Sequence, residues 1–383
     1  VRHSYDTVII GAGASGLMLA SLLPKTSKVA IFDTNSKIGA KIAISGGGRC
    51  NFTNRNLGIE HYCGDNTFIK SVFKRYNNRW LLNWAKEHNL ELVCEKKGQY
   101  FCANRAKSLI DIFQKEIDKF SLHLNEQVLS VSKDSSFIIE TTKGRYRAKN
   151  LVVASGGLSY PKLGASDIGF RVAKSFNHSI VTPLPALVGF TLQREQFFMK
   201  ELSGISLDIE LRVEKKIFKD KLLFAHRGVS GPAILNGSLW WKKGKITIDF
   251  LPEFNLKSLR GAKSISTLLP MPKRASKAFL EHLGVIDKSA NSLTSEDFKR
   301  LETLKSYSFA PAGTFGYSKA EITKGGVATN EIDSNTMMSK KVNRLYFIGE
   351  VLDVSGEVGG YNFQWAFSSS AICAKSILSY NKN

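Results

Sequence analysis

The sequence predicts an α/β fold: a mostly parallel sheet built from both ends of the chain and interrupted by a module of different pattern. Three observations predict it. Thr7–Ile10, Gly11–Gly16, Leu17–Leu23 and Lys28–Asp33 read as strand, glycine turn, helix and strand, which is one βαβ unit. Far along the chain, Arg344–Gly349 reads as another buried strand, followed by a second glycine turn and a last helix over Asn362–Leu378. Between them the pattern shifts near Pro183 and Pro185, to alternating strands and then to a basic, helical stretch.

The elements follow in order. Thr7–Ile10 is apolar and β-branched, as a buried parallel strand requires. The apolar run Val8–Leu23 is too short to span a bilayer and holds the glycine turn, so it reads as structure rather than targeting. Lys37–Asn54, rich in Gly, Ser and Asn, reads as a long functional loop. Thr67–His88 has helical spacing, its stripe of Phe68, Val72, Phe73, Tyr76, Trp80, Leu81 and Trp84 facing a core. Ser108–Phe120 is a further helix. Phe137–Thr142 and Arg145–Arg147 flank Lys143-Gly144 as a hairpin, and Leu151–Ala154 returns as a buried strand. Leu207–Val213 and Lys245–Phe250 are strands of the middle module, and Asn255–Tyr307 turns helical.

Composition sets bounds. The 383 residues favour two or three domains, and 43% hydrophobic with 23% charged residues is the range of a globular chain with a substantial core. The net charge of +21 attracts polyanions, although the excess is scattered, as on a solvated lysine-rich surface. Five cysteines without a Cys-x-x-Cys argue against a disulfide framework, a zinc ribbon and electron transfer through a paired disulfide. A reducing, cytoplasmic location is expected, with no metal site and no membrane span.

The chemistry starts at Gly11-Ala12-Gly13-Ala14-Ser15-Gly16. Gly11 permits the tight turn out of the strand, Gly13 lets a pyrophosphate approach the backbone, and Gly16 lets the helix pack close to the sheet. The helix N-terminus offers N–H donors and partial positive charge. Asp33 closes the second strand at the spacing of an acid that hydrogen-bonds ribose hydroxyls. A second glycine run follows at Ser45–Asn54. There Gly46, Gly47 and Gly48 bring amides near a flat ring or a phosphate, Arg49 adds a cation, and Asn51 and Asn54 add donors and acceptors. The C-terminal Leu345–Asp353 and Gly359–Gln364 read as strand, acidic turn, glycine turn and helix. This layout brings Asp353 to the ribityl or pyrophosphate part of a cofactor and the last helix to the pyrimidine edge of a flavin, where its dipole favours negative charge. An NAD dehydrogenase has no need of the returning segment, so the reading is FAD.

Together with Ser155-Gly156-Gly157-Leu158-Ser159-Tyr160-Pro161 and Gly228-Val229-Ser230-Gly231-Pro232, these motifs resemble the YhiN/BaiN-like family of bacterial FAD-dependent oxidoreductases, often described as aminoacetone oxidase-like. The resemblance covers nearly the whole chain. It implies a Rossmann-type FAD-binding domain of the two-dinucleotide-binding-motif kind, in parts 1–189 and 311–383, with an inserted β-barrel-like domain at 190–254 and a helical subdomain at 255–310. It implies tightly bound FAD held by Gly11 to Gly16, Asp33, Lys41, Gly46, Gly47, Gly48, Arg49, Cys50, Asn51, Asn54, Gly156, Gly157, Asp353, Gly359, Gly360, Tyr361, Asn362 and Phe363. Ala154, Gly349 and Glu350 belong to the same turns, and the backbone of Val128 is expected against adenine. The chain departs from the family at Ser368-Ser369-Ser370, where relatives often carry glycine.

The flavin would do the hydride chemistry, with the protein binding and orienting it. No second GxGxxG is present, so NADH or NADPH is expected as a transient reductant. Candidates near the substrate are Tyr160 as proton donor and Lys162, His226 and Arg227, the two basic residues Lys162 and Arg227 being suited to an anionic substrate. Each has a plainer reading, as a turn former or an ordinary hydrogen-bonded side chain. Cys50 beside Arg49 has a neighbour that would favour a thiolate, but a packing role is the preferred reading over a redox one. The expected partner is a small organic molecule. The alternative is a basic flavoprotein acting on RNA, as in tRNA modification, motivated by the charge and by Arg212–Lys221, Trp240–Lys245 and Lys273–Lys277. In that reading Trp240 and Trp241 stack a base while Lys242 and Lys243 hold a phosphate.

Overall fold

A computed structural model describes residues 3–380. The first strands are β1 (His3–Ile10), β2 (Val29–Phe32) and β3 (Ser121–His123). They are followed by β4 (Val128–Lys133), β5 (Phe137–Thr141) and β6 (Arg145–Val153), and much later by β7 (Leu345–Phe347). The parallel order is β3-β2-β1-β6-β7, with Ile9 beside Ile31 and Val152, and Leu151 beside Leu345. On its edge away from β1, β6 serves two partners: Arg145–Ala148 pairs antiparallel with β5, and the apolar Leu151–Val153 pairs with β7. Val8, Ile9, Ile31, Leu151 and Phe347 are fully buried, which is why these runs are continuously apolar rather than alternating.

The chain divides into two compact units, Val1–Pro185 with Glu321–Asn383, and Ala186–Ala320. The first holds the parallel sheet, helix α1 (Ala14–Ser21) and the last helix α2 (Tyr361–Tyr380). The second is an antiparallel sheet in the order Tyr307–Phe309, Ile246–Asp249, Ser206–Val213, Lys216–Ala225, Gly228–Ser230, Phe190–Thr191 and Gly313–Thr314. Helices Pro232–Trp240, Lys273–His282 and Ser295–Glu302 belong to the same unit. Its core gathers Phe224, Phe250 and Phe279, with the rings of Phe250 and Phe279 4.7 Å apart. Among the described residues no helix is long and apolar enough to cross a membrane.

Two local readings change. The stretch read as one long loop, Lys37–Asn54, holds a helix at Ala40–Gly48 and a strand at Asn51–Asn54. The helix breaks where Ser45 turns extended (ψ 144°) and Gly46, Gly47 and Gly48 take φ of 55°, 67° and 82°, a left-handed run open to glycine. The strand then pairs with Gln99–Cys102, a long-range partner that no local pattern announces. The single helix read over Thr67–His88 is two, Asn66–Phe73 and Asn78–Glu87. Asn77 restarts the helix, its side chain accepting from Arg79 N–H and Trp80 N–H.

Candidate functional site

The order β3-β2-β1-β6-β7 changes direction between β1 and β6, and the carboxyl ends of strands at such a switch point form a crevice. Gly11–Gly16, Asp33, Ala154–Gly157 and Gly349–Asp353 all follow the carboxyl ends of β1, β2, β6 and β7. Gly11 has φ 112°, and a Cβ there would lie 2.5 Å from the Ala154 carbonyl oxygen, so glycine is required for the two chain segments to meet. Gly13 differs. Its φ is −88°, which any residue adopts, and a Cβ on it would find no atom within 4 Å. Gly13 therefore borders open space at the N-terminus of α1, which no side chain caps. Asp33 is fixed beside it. One carboxylate oxygen accepts from Ala12 N–H at 2.7 Å, and the other accepts from Asn35 N–H at 2.8 Å.

The C-terminal return is tied to this turn by α2. Gly349 N–H donates to Ser369 Oγ at 3.0 Å, the Trp365 indole N–H donates to Gly349 O at 3.1 Å, and Ser370 Oγ–H donates to Ser15 O at 2.8 Å. The Ser45–Asn54 segment joins at the glycine turn before α2. A Cβ on Gly360 would sit 2.6 Å from the Thr53 carbonyl, the Asn54 side-chain amide donates to Gly359 O at 3.0 Å, and Thr53 Oγ1 donates to Gln364 Oε1 at 2.5 Å. Asn362 bridges Gly356 with its side-chain amide, accepting from the N–H and donating to the carbonyl, each at 2.8 Å. Tyr361 is buried and stacks on His61, 4.5 Å between ring centres. Phe363, half-buried, follows on the same turn of helix.

A polar chain runs along the loop after β6. Lys41 Nζ donates to Glu350 at 2.7 Å, and Glu350 accepts from Thr323 N–H at 2.9 Å. Thr323 Oγ1 in turn accepts from Leu158 N–H at 2.8 Å and Ser159 N–H at 3.0 Å. Tyr160, at φ 63°, ends that loop half-buried. Burial pushes its phenol up, and the charge of Glu321 adds to the push. Glu321 is exposed on one side, with desolvation on the other raising its carboxyl and the Lys41 charge opposing the rise. Asp353 is half-buried and is raised by burial.

Other residues singled out in the sequence lie elsewhere or are occupied. Arg49 is exposed, pairs with Glu95 and lies 4.3 Å over the Phe101 ring. The Cys50 thiol is not favoured as a thiolate: its hydrogen bond with Cys102 and full burial push it well up. Val128 is buried at the start of β4 and pairs with Thr141. Lys162 is exposed on the short turn Pro161–Leu163. His226 and Arg227 are exposed in the Ala186–Ala320 unit, at the turn before Gly228–Ser230, with Arg227 5.2 Å from the Phe315 ring centre. Thr323 and Glu321 were not singled out; the serine triplet Ser368-Ser369-Ser370 was noted only as a departure from the family, without the grip that Ser369 and Ser370 provide.

A flavin dinucleotide fits these residues. The uncapped helix N-terminus, the open space at Gly13 and Gly47, and the acid at Asp33 have the chemistry of a pyrophosphate and ribose cradle. Asn51 Oδ1 and Ser155 Oγ are buried without a partner among the described residues, as acceptors awaiting a ligand's donors would be. The fold and this cradle define a Rossmann-type nucleotide-binding enzyme that works through a flavin. The HI0933-like protein Rossmann domain model matches residues 5–376, and the chain belongs to that family, which is the YhiN/BaiN-like group of the sequence resemblance. It is an FAD-dependent oxidoreductase. The chain is 39% identical to a ribosomal RNA dihydrouridine synthase of Haemophilus influenzae, over 97% of this chain and 98% of that one. It is 27% identical to a 3-dehydro-bile acid delta(4,6)-reductase of Clostridium scindens, over 96% and 97%. Its fold matches 3-ketosteroid delta1-dehydrogenase of Sterolibacterium denitrificans with a TM-score of 0.53 at 10% identity, covering 99% of this chain and all of that one.

Proposed function

We propose that this protein reduces a carbon–carbon double bond of uracil in ribosomal RNA to give dihydrouridine, with NADH or NADPH as the transient reductant. The observation that carries the reading is the end-to-end likeness, at 39% identity, to a relative of that name. The net charge of +21 supports it, since it favours a polyanionic substrate over a small neutral one. The more distant relative is named for a reductase acting at delta(4,6) positions of a bile acid, which is also double-bond reduction. The RNA alternative of the sequence reading thus becomes the main one, and a small conjugated substrate becomes the rival.

The cofactor-binding residues are proposed to be those of the two glycine turns, Asp33, Lys41, Asn51 and Asp353. When bound, the flavin supplies a hydride to one carbon of the double bond. The chain must then deliver a proton to the other carbon, and Tyr160 is our candidate. Its phenol, like any tyrosine's, holds its proton across the neutral range, and burial and the Glu321 charge raise it further. The Lys41–Glu350–Thr323 chain holds the backbone of Leu158 and Ser159, so the donor is positioned by a fixed loop. Lys162, His226 and Arg227 are assigned no step.

Stopped-flow absorbance of the holoprotein under anaerobic conditions tests the reading. NADH or NADPH should bleach the flavin band, and unmodified ribosomal RNA should restore it faster than a conjugated bile acid does. Recovery with the bile acid alone would replace RNA by the small-molecule reading.

A further inference from the structure

The unit Ala186–Ala320 carries a cluster of cations that the proposed chemistry does not use. Strands Ser206–Val213 and Lys216–Ala225 form a hairpin closed by Val213 opposite Lys216, so Glu214 and Lys215 form its tip. Ile246–Asp249 pairs with the other side of Ser206–Val213, Arg212 beside Thr247 and Glu210 beside Asp249. Continued one step beyond Ile246, that register brings Lys245 level with the hairpin tip. Lys216 Nζ lies 4.0 Å over the Trp240 ring, which ties the tip to the end of helix Pro232–Trp240. Lys215, Lys216, Lys242, Lys243 and Lys245 therefore share one end of the sheet.

The neighbouring charges sort these cations. Glu210 pairs with Arg212 at 2.7 Å and Lys219 at 3.3 Å, so these two cations share one acid. Lys215, Lys242, Lys243 and Lys245 are exposed, and no carboxylate lies within 4 Å of them among the described residues. Glu214 is the one acid in the tip. The two tryptophans are not free platforms. Lys216 covers a face of Trp240, while Trp241 meets the Phe190 ring edge-on at 5.0 Å and donates its indole N–H to Gly244 O at 3.0 Å. Trp241 thereby pins the turn Lys242–Lys245, and Trp240 holds the Lys216 ammonium in place. The exposed ammonium groups of Lys215, Lys242, Lys243 and Lys245, without an open aromatic face beside them, suit phosphates rather than bases.

We infer that this end of the Ala186–Ala320 unit, with Lys215, Lys216, Lys242, Lys243 and Lys245, docks the phosphate backbone of the RNA substrate without reading its sequence. The inference rests on the proposed RNA reading. Choice of the target uridine then falls to the flavin site, while the lysine end supplies affinity.

The test uses the full-length holoprotein and a triple variant, Lys242→Ala with Lys243→Ala and Lys245→Ala. Binding of unmodified ribosomal RNA is followed against salt concentration, and dihydrouridine formation against RNA concentration. Each phosphate contact contributes about 0.7 to 0.9 to the slope of log affinity against log salt. The triple variant should lose about 2 from that slope and at least about tenfold in affinity, with KM raised, kcat kept at saturating RNA, and flavin content and melting temperature unchanged. The arginine version of the triple variant should bind like the parent. Unchanged affinity and slope in the alanine variant would overturn the docking surface even if dihydrouridine still forms. Lysine-dependent RNA binding by a parent enzyme that makes no dihydrouridine would support the surface and defeat the functional reading. Tighter lysine-dependent binding to phosphatidylglycerol vesicles than to RNA would overturn RNA as the partner.

Discussion

Gly11 and Gly13 are two residues apart, and substitution should harm them in different ways. A Cβ on Gly11 collides with the Ala154 carbonyl at 2.5 Å and φ is 112°, so Gly11→Ala should destabilise the fold itself, by roughly 2 kcal/mol or more. A side chain on Gly13 meets open space at an ordinary φ, so Gly13→Val should leave the melting temperature of the flavin-free protein nearly unchanged while abolishing flavin retention, read as yellow colour and FAD released on denaturation. Equal loss of stability in both variants would deny the cradle. Tyr160→Phe should keep flavin content and NADPH reduction but lower the rate of RNA-dependent reoxidation by about 10²-fold or more, the usual worth of a general acid. Because burial and the Glu321 charge raise its phenol, the tyrosinate absorbance missing from Tyr160→Phe should develop in the parent only above the ordinary tyrosine value of 10. At this scale the sequence was legible where a residue type is forced by a local turn, as at Gly11 and Gly13. It was not legible at Thr323 or Glu321, whose roles come from segments more than 150 residues away.

Helix α2 shows what an element adds. Its hydrophobic pattern announces a buried helix, but two of its three consecutive serines are the means by which it grips the two turns. Ser369 satisfies Gly349 N–H, and Ser370 satisfies Ser15 O. Ser370→Val should remove the cross-link to the Ser15 carbonyl and cost about 0.5–1.5 kcal/mol, measured by urea denaturation, with weakened flavin affinity as a second readout. An unchanged urea midpoint would show that the grip is not needed. The helices were readable from their stripes, and Asn77 was missed because a cap breaks a pattern that periodicity alone treats as continuous. The Asn51–Asn54 strand was missed for a different reason. Its partner Gln99–Cys102 is remote, and the glycines before it look like a loop until their left-handed angles are seen.

At the scale of the whole molecule, the first unit is closed from segments on both sides of the middle one. His178 is buried between Glu331, 3.0 Å from Nδ1, and Ser339, 2.8 Å from Nε2, while Lys341 and Ser179 also hold Glu331. Burial would raise the Glu331 carboxyl, but Lys341 and Ser179 outweigh it and hold it at about 2, below its ordinary 4.5. Burial pushes His178 below its ordinary 6.5. The unfolded chain binds protons before the folded one at both groups, so both contributions are lost as pH falls: His178 below 6.5, Glu331 between 4.5 and 2. Urea midpoints should therefore decline on acidification, and Glu331→Gln should flatten the part below 4.5 while lowering stability at neutral pH. A midpoint that holds steady with acid would contradict the knot.

The charge of +21 was visible from composition, but composition could not say which lysines are paired. That depended on the register that brings Lys245 level with the Glu214 tip. Conversion of a uridine in ribosomal RNA is read by mass spectrometry of nucleosides from unmodified ribosomal RNA incubated with the holoprotein and NADPH or NADH. A uridine should gain two hydrogens at a defined position, with no gain when Gly13→Val replaces the parent. RNA recovered unchanged from a flavin-loaded, NAD(P)H-reduced enzyme would contradict it.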